Sequence, residues 1–301
     1  MHRLEVVGLD LPLVKPGDDI AKLVVDAAHR LGIEIEDGDV VAVSSKIVSK
    51  ALGSIVRLDD VEPSDEAKRI ASIVNEDARF IELVLRESDR VVAVIPMREL
   101  VERGVIKLEN MAKDIDTARK VIERFPVLFL VFREGSLWTD AGLDSSNLPD
   151  NYIAIPPRNL DEIAKSIRER IHELTGKTVA VVICDTEGFL GGSIDIARGS
   201  YGIEPRDRCF AEPDLYGKPK YGGVDIVVHE ICAAMALVSK QTSRGIPAVI
   251  IKGLQYEKCE CGLRDRMMID PSRAMEALKL VISWTRKVLG VRTLLRTLLS
   301  L

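Results

Sequence analysis

Three short stretches of the chain, residues 39–44, 178–184 and 247–251, carry Val, Ile and Ala at consecutive positions rather than at alternate ones. A strand that is apolar on both faces has to be covered on both faces, so these runs call for a sheet buried between layers of other structure. Residues 4–7 read as a further strand. Residues 19–31, with Asp18 or Asp19 near the cap, read as an amphipathic helix, which gives the chain a β-α-β opening. Pro63, Ser64, Asp65 and Glu66 start a helix with proline in its first turn and acids at its positive end, and helical period continues over 77–87. Residues 90–95 and 127–132 return to strand. The charged stretch 97–124 between them is helical in period and reads as an inserted arm.

A second α/β unit follows. Residues 152–157 look like a strand ended by prolines, after which Asn159 or Asp161 caps a helix running to Leu174, with Gly176 closing it. Residues 225–240 form an apolar, alanine-rich helical stretch, and 272–289 and 291–300 are helical in pattern. Residues 186–223 hold eight glycines and little periodicity, and so long a connection is either functional or mobile. The whole of 1–301 reads as a single unit, with lobes at 1–175, arm included, and 176–301.

With 301 residues of which 47% are apolar, the chain buries a large core. Its net charge of -5 supplies no global field for nucleic acid or an anionic membrane, so any anion must be held locally. No run approaches the roughly 20 apolar residues that cross a bilayer, and residues 1–4 enter a strand-like pattern without a signal-peptide core. The expectation is a cytoplasmic protein with neither nucleic acid nor membrane as partner. Cys184, Cys209, Cys232, Cys259 and Cys261 are odd in number and lack zinc-ribbon spacing. Cys259 and Cys261 read as two thiols on a loop, with a redox or metal role as the alternative.

Chemistry concentrates in two short acidic signatures, Gly142-Leu143-Asp144-Ser145-Ser146-Asn147 and Cys184-Asp185-Thr186-Glu187-Gly188, the second at the end of an apolar run. Asp and Asn offer the oxygen ligands that Mg²⁺ or Mn²⁺ prefers, and Mg²⁺ is usually held by one or two carboxylates with substrate phosphates completing its shell. The bland readings are a surface turn at 144–147 and a capping role for Asp185 or Thr186. Ser44, Ser45, Lys46 and Lys50 follow a buried strand, where hydroxyls and ammonium groups suit phosphate oxygens. Neither a Walker pattern nor Gly-x-Gly-x-x-Gly occurs, which argues against P-loop and dinucleotide folds. His229 reads as a satisfied core or interface residue, Tyr216 as a loop anchor and Trp138 as a packing residue.

Taken in order, residues 11–18, Ser44-Ser45-Lys46 with Ile47 to Lys50, residues 141–147, Cys184-Asp185-Thr186, and Gln241 with Gly245-Ile246-Pro247 resemble the coenzyme F-420-0:L-glutamate ligase family, over residues 8 to about 288. The resemblance implies an α+β fold of two interleaved α/β lobes with mixed sheets, assembled as an intertwined homodimer. It implies a GTP-dependent ligase, using Mg²⁺ or Mn²⁺, that adds L-glutamate through a γ-linked amide to a phospholactyl deazaflavin coenzyme precursor by way of an acyl phosphate. Leu11, Pro12, Leu13, Val14, Ser45, Lys46, Lys50 and Asn147 would contact the nucleotide, with Ser239, Lys240, Gln241, Gly245 and Ile246. Asp144, Asp185, Thr186 and Gln241 would hold metal. Asp144, Asp185 and Lys50 would be the catalytic groups, the carboxylates through the metal and the lysine, or Lys46, by stabilising charge.

One segment departs from that pattern. After Asp-Thr-x-Gly the family usually continues with an arginine-rich segment and an Ala-Ile-Gly run, whereas this chain has Phe189-Leu190-Gly191-Gly192-Ser193 and only Arg198 nearby. Arginines there would suit an anionic acceptor, since a guanidinium grips phosphate bidentately. Two other readings therefore stand: an amide ligase with another acid acceptor, and a non-catalytic nucleotide- or metal-binding protein.

Overall fold

The computed structural model describes residues 3–189, 191–240 and 245–299. In chain order the strands are β1 (Glu5–Leu9), β2 (Val40–Ser44), β3 (Ile55–Arg57), β4 (Arg90–Ile95), β5 (Leu128–Arg133), β6 (Ser136–Thr139), β7 (Tyr152–Ala154), β8 (Ala180–Phe189), β9 (Gly192–Tyr201) and β10 (Ala248–Lys252). The helices are α1 (Ile20–Arg30), α2 (Ser45–Ala51), α3 (Asp65–Val74), α4 (Ala78–Glu87), α5 (Met97–Glu102), α6 (Ile115–Arg124), α7 (Leu160–Thr175), α8 (Val227–Ser239) and α9 (Ala274–Leu299). The fold is mixed α and β.

Its centre is a five-stranded mixed sheet in the order β1-β10-β2-β8-β9, in which only β2 and β8 run parallel. Both halves of the chain contribute strands to it. The consecutive apolar residues divide between two cores, as the pleat requires. Val41, Val43, Val181, Ile183 and Ile250 face one core, with Val24 of α1 and Ile171 of α7. Val40, Ala42, Val182, Val249 and Ile251 face the other, with Val228, Ile231 and Met235 of α8. Two small antiparallel sheets, β3-β7 and β4-β5-β6, flank this body.

Helix ends follow the expected chemistry except at α3, where Pro63 precedes the Ser64 cap and does not stand in the first turn. Asp19, Ser64 and Asp77 each accept a backbone N–H from the first turn of α1, α3 and α4. Asn159 stands at the start of α7 and Gly176 caps its end in the left-handed region. The arm at 97–124 is helical, as α5 and α6 joined by a short 3₁₀ turn at Leu108–Asn110. Gly290, at φ 72°, breaks the terminal helical stretch where the sequence pattern placed an interruption.

The expectation of little regular structure over 186–223 is corrected in its first part. The strand that begins the run continues to Phe189, and β9 returns along it from Gly192 to Tyr201. Its glycines have local reasons. A side chain at Gly199 would stand 2.5 Å from the backbone carbon of Leu160, where the start of α7 crosses the hairpin. Helix α2 and strands β3 and β6 were not apparent as separate elements.

The reading of Cys259 and Cys261 as two thiols is also corrected: they are joined as a disulfide, and so are Cys184 and Cys232, which ties β8 to α8. Tyr216 does not anchor its loop, since it is 87% exposed. Trp138 does pack. It is buried, its Nε1 donates to the Arg133 carbonyl at 3.1 Å, and the Arg133 and Arg198 guanidiniums stand 5.2 and 3.7 Å from its ring centre.

Candidate active site

Strand β2 ends at Ser44, paired with Cys184 of the parallel strand β8, so Asp185 lies just past the carboxyl end of the pair. Open α/β sheets bind ligands in that position. Asp185 is not at the end of its own strand, because β8 runs on to Phe189 as one arm of the hairpin. A cavity of about 740 Å³ opens there, lined by residues 11–14, by Ser44, Ser45, Lys46, Ile47 and Lys50, by Asp144, Ser146 and Asn147, by Asp185 and Thr186, and by Ser239, Gly245 and Ile246. The main chain fixes two of these segments to the 245–247 stretch. The N–H of Leu11 donates to the Gly245 carbonyl at 3.2 Å, and that of Ser44 to the Pro247 carbonyl at 2.9 Å.

Lys46 and Lys50 stand one turn apart on α2 and both reach the 144–147 segment. Lys46 Nζ lies 2.8 Å from Asp144 Oδ2 and also donates to Ser146 Oγ. Lys50 Nζ donates to the Asn147 carbonyl at 2.6 Å. Burial, and then the neighbouring Lys46 charge, lower the Lys50 pKa, against the pull of Asp144. Asp144 is itself held at both main-chain atoms by Ala154, at 3.1 and 2.8 Å. Ahead of it Asp140, Ala141 and Gly142 have φ of 46°, 55° and 77°, three successive residues in the left-handed region. A Cβ at Gly142 would meet the Trp138 ring at 2.7 Å and Pro156 at 2.8 Å.

Among the described lining residues, the Asp185 carboxylate carries a buried oxygen that is left unsatisfied. Its Oδ1 accepts the N–H of Thr186 at 2.9 Å, while its Oδ2 is buried with no hydrogen-bond partner. Burial, aided by the Glu187 charge and opposed by Arg198, pushes its pKa up to about 7. Beside it Thr186 Oγ1 donates to Asp195 Oδ1 at 2.7 Å. Oxygen-only donors with one orphaned carboxylate oxygen fit a hard divalent cation. Among the described residues the one compact three-ligand group of His, Cys, Asp and Glu lies elsewhere, at Glu204, Cys259 and Cys261. The described carboxylates of this cavity form no such compact group, which suits a cation shared with substrate phosphates.

Several members were not singled out in the sequence. Asp195 lines the cavity because β9 sets it opposite Thr186, a pairing invisible once the strand is taken to end at 184. Asp140 lines it too. It accepts the Phe129 N–H at 2.7 Å, and burial raises its pKa to about 7. Lys240 ends α8 in the left-handed region, is exposed, and is not among the lining residues. Gln241 lies outside the described residues.

Arg198 points away from this cavity. It pairs with buried Glu187, which also accepts the Thr139 N–H at 2.6 Å, and both line a second, more apolar cavity of about 690 Å³ with Phe132, Trp138, Arg206, His229 and Arg264. There His229 Nδ1 accepts the Ala197 N–H at 3.2 Å, and burial holds its pKa down at about 4. No described helix is long and apolar enough to cross a membrane.

Comparison with known proteins agrees on one family. The family model described as F420-0:Gamma-glutamyl ligase matches residues 8–253. A protein of Archaeoglobus fulgidus named coenzyme F420:L-glutamate ligase is 35% identical over 255 residues, covering 84% of this chain and 88% of that protein. Proteins of the same name from Methanopyrus kandleri and Methanothermobacter thermautotrophicus are each 33% identical, over 276 and 256 residues, covering 90% and 84% of this chain and 96% and 90% of theirs.

Proposed function

This chain belongs to the F420-0:gamma-glutamyl ligase family, and we propose from that premise that it joins L-glutamate in γ linkage to a phospholactyl deazaflavin acceptor at the expense of GTP. The observation that carries the reading is the meeting of three chain segments at one cavity: the Lys46–Lys50 turn, the 144–147 loop and the Asp185–Thr186 pair.

The chemistry needs an anionic acceptor and an anionic nucleotide held in line. An oxygen of the acceptor carboxylate attacks the γ-phosphorus, the bond from that phosphorus to the bridging oxygen breaks, and GDP leaves. The amine of glutamate then attacks the acyl carbon, loses a proton, and expels phosphate carrying the acceptor's oxygen. Lys46 and Lys50 approach as two ammonium groups from one helix face, placed to offset charge on the transferring phosphoryl group. Asp144, Asp185 and Thr186, with Gln241 from the resemblance, would hold Mg²⁺ or Mn²⁺, which when bound would neutralise phosphate charge. Homodimeric assembly belongs to the same proposal.

An acceptor labelled with ¹⁸O in its carboxylate tests the route: one labelled oxygen appears in the phosphate released. Unlabelled phosphate alongside amide product would rule the acyl phosphate out. A second reading, an amide ligase with another acid acceptor, is favoured by Arg198, which is engaged by Glu187 and turned from the cavity.

A further inference from the structure

Away from this cavity, two loops meet where the Tyr201–Gly262 bridge and the Glu204 N–H to Glu257 carbonyl bond, at 2.8 Å, hold them in register. Three side chains converge at the junction. Cys259 Sγ, Cys261 Sγ and a carboxylate oxygen of Glu204 all lie within 4.8 Å of one another. Glu204 is only 4% exposed, and its Oε1 is buried with no hydrogen-bond partner. Its other oxygen is already engaged, 3.3 Å from Arg266 Nε and 3.9 Å from Arg208 Nε. Arg266 also donates from Nη2 to Cys259 Sγ at 3.8 Å. Glu260, between the cysteines, is drawn off by Arg168 at 2.6 and 3.0 Å.

A buried carboxylate oxygen without a donor is costly unless something else satisfies it. The disulfide beside it offers no proton or charge. Two thiolates and that oxygen would satisfy it through a shared cation: thiolate ligands select zinc-class ions, and a carboxylate with a fourth position left to water completes the usual tetrahedron. The anionic set of two sulfurs and one carboxylate is offset by Arg266, placed as an outer donor to both a sulfur and the carboxylate. We propose that Cys259, Cys261 and Glu204 form a redox-gated site for a zinc-class divalent cation. Two molecules of a thiol reductant convert the disulfide to two protein thiols and are themselves joined as a disulfide, and metal binding then releases the two thiol protons. The neighbouring residues Leu263, Arg264 and Met267 line the second cavity, so the bound cation would fix one of its rims.

Co²⁺ titration of the full-length protein is the test, with a non-thiol phosphine keeping the cysteines reduced. The reduced protein should take up one Co²⁺ per chain with a thiolate-to-cobalt charge-transfer band that zinc abolishes and excess Mg²⁺ does not. Cys209→Ser should retain the band, Cys259→Ser/Cys261→Ser and the oxidised protein should lack it, and Arg266→Met should weaken affinity roughly tenfold. Glu204→Gln should weaken it further. Since that change also removes a buried partner of Arg266, the cysteine double variant decides the matter. Absence of the band from the reduced protein, or its persistence in the double variant, would overturn the proposal.

Discussion

Lys46 and Asp144, from different segments of the chain, form an ion pair at 2.8 Å that joins the first helix after β2 to the acidic loop before β7. The pair is partly exposed, 19% and 36% at the side chains, so its contribution to folding is small, on the order of 1 kcal/mol or less. It also keeps an ammonium group at the cavity wall. Lys46→Met should therefore leave the melting temperature nearly unchanged and weaken nucleotide binding roughly tenfold or more, as loss of a charge-assisted contact does. Calorimetric titration with nucleotide alongside a melting curve checks both halves.

Asp185→Asn makes the reverse separation for a carboxylate. The native group carries a buried oxygen without a partner, close to the Glu187 charge, so a neutral amide should be tolerated or slightly stabilising. Turnover should fall by about a hundredfold or more, the scale of losing an electrostatic contact to the transition state. Normal turnover in the variant would remove Asp185 from the proposed machinery.

Much of the fold was legible because burial on both faces leaves an unbroken apolar run, and because Asp19 and Gly176 mark helix ends by their own chemistry, whereas the break that Asp77 caps between α3 and α4 was hidden by helical period running across it. The β8–β9 hairpin was not legible either. Gly188, Gly192 and Gly199 erase the alternation that identifies a strand, and Gly199 is there to let the backbone of Leu160 approach. Asp195 was hidden for the same reason, since its nearness to Thr186 is a matter of register. The Cys184–Cys232 disulfide was equally unreadable. Cys184 and Cys232 lie on different elements, and spacing carries no information about which cysteines meet.

Glu187 and Arg198 should behave as a buried pair. Their side chains are 5% and 3% exposed, so removing one strands the other's charge in the interior. Arg198→Met should cost about 3–5 kcal/mol, and Glu187→Gln/Arg198→Met should recover most of it. Urea denaturation of the four proteins closes the cycle. Simple additivity of the two single losses would contradict a direct pair.

Glu76 supplies a pH signature. Both its carboxylate oxygens are buried without a hydrogen-bond partner, and burial, reinforced by Asp140 and Asp77, raises its pKa from 4.5 to about 8. Between those values the folded chain holds a proton that the unfolded chain has lost. The stabilising contribution is thus complete below about pH 4.5 and is lost as pH rises through 8. Glu76→Gln should flatten this decline and raise the denaturation midpoint at pH 8 relative to the native chain. An unchanged slope would show that Glu76 ionises normally.

The central claim is tested most directly by mass analysis of the deazaflavin acceptor after incubation with the purified protein, GTP, L-glutamate and Mn²⁺ or Mg²⁺, with GDP followed in the same sample. The account predicts a gain of one or more glutamate residues in the acceptor, one GDP for each, and neither product without the divalent cation. An unaltered acceptor under conditions where the protein binds GTP and cation would contradict it.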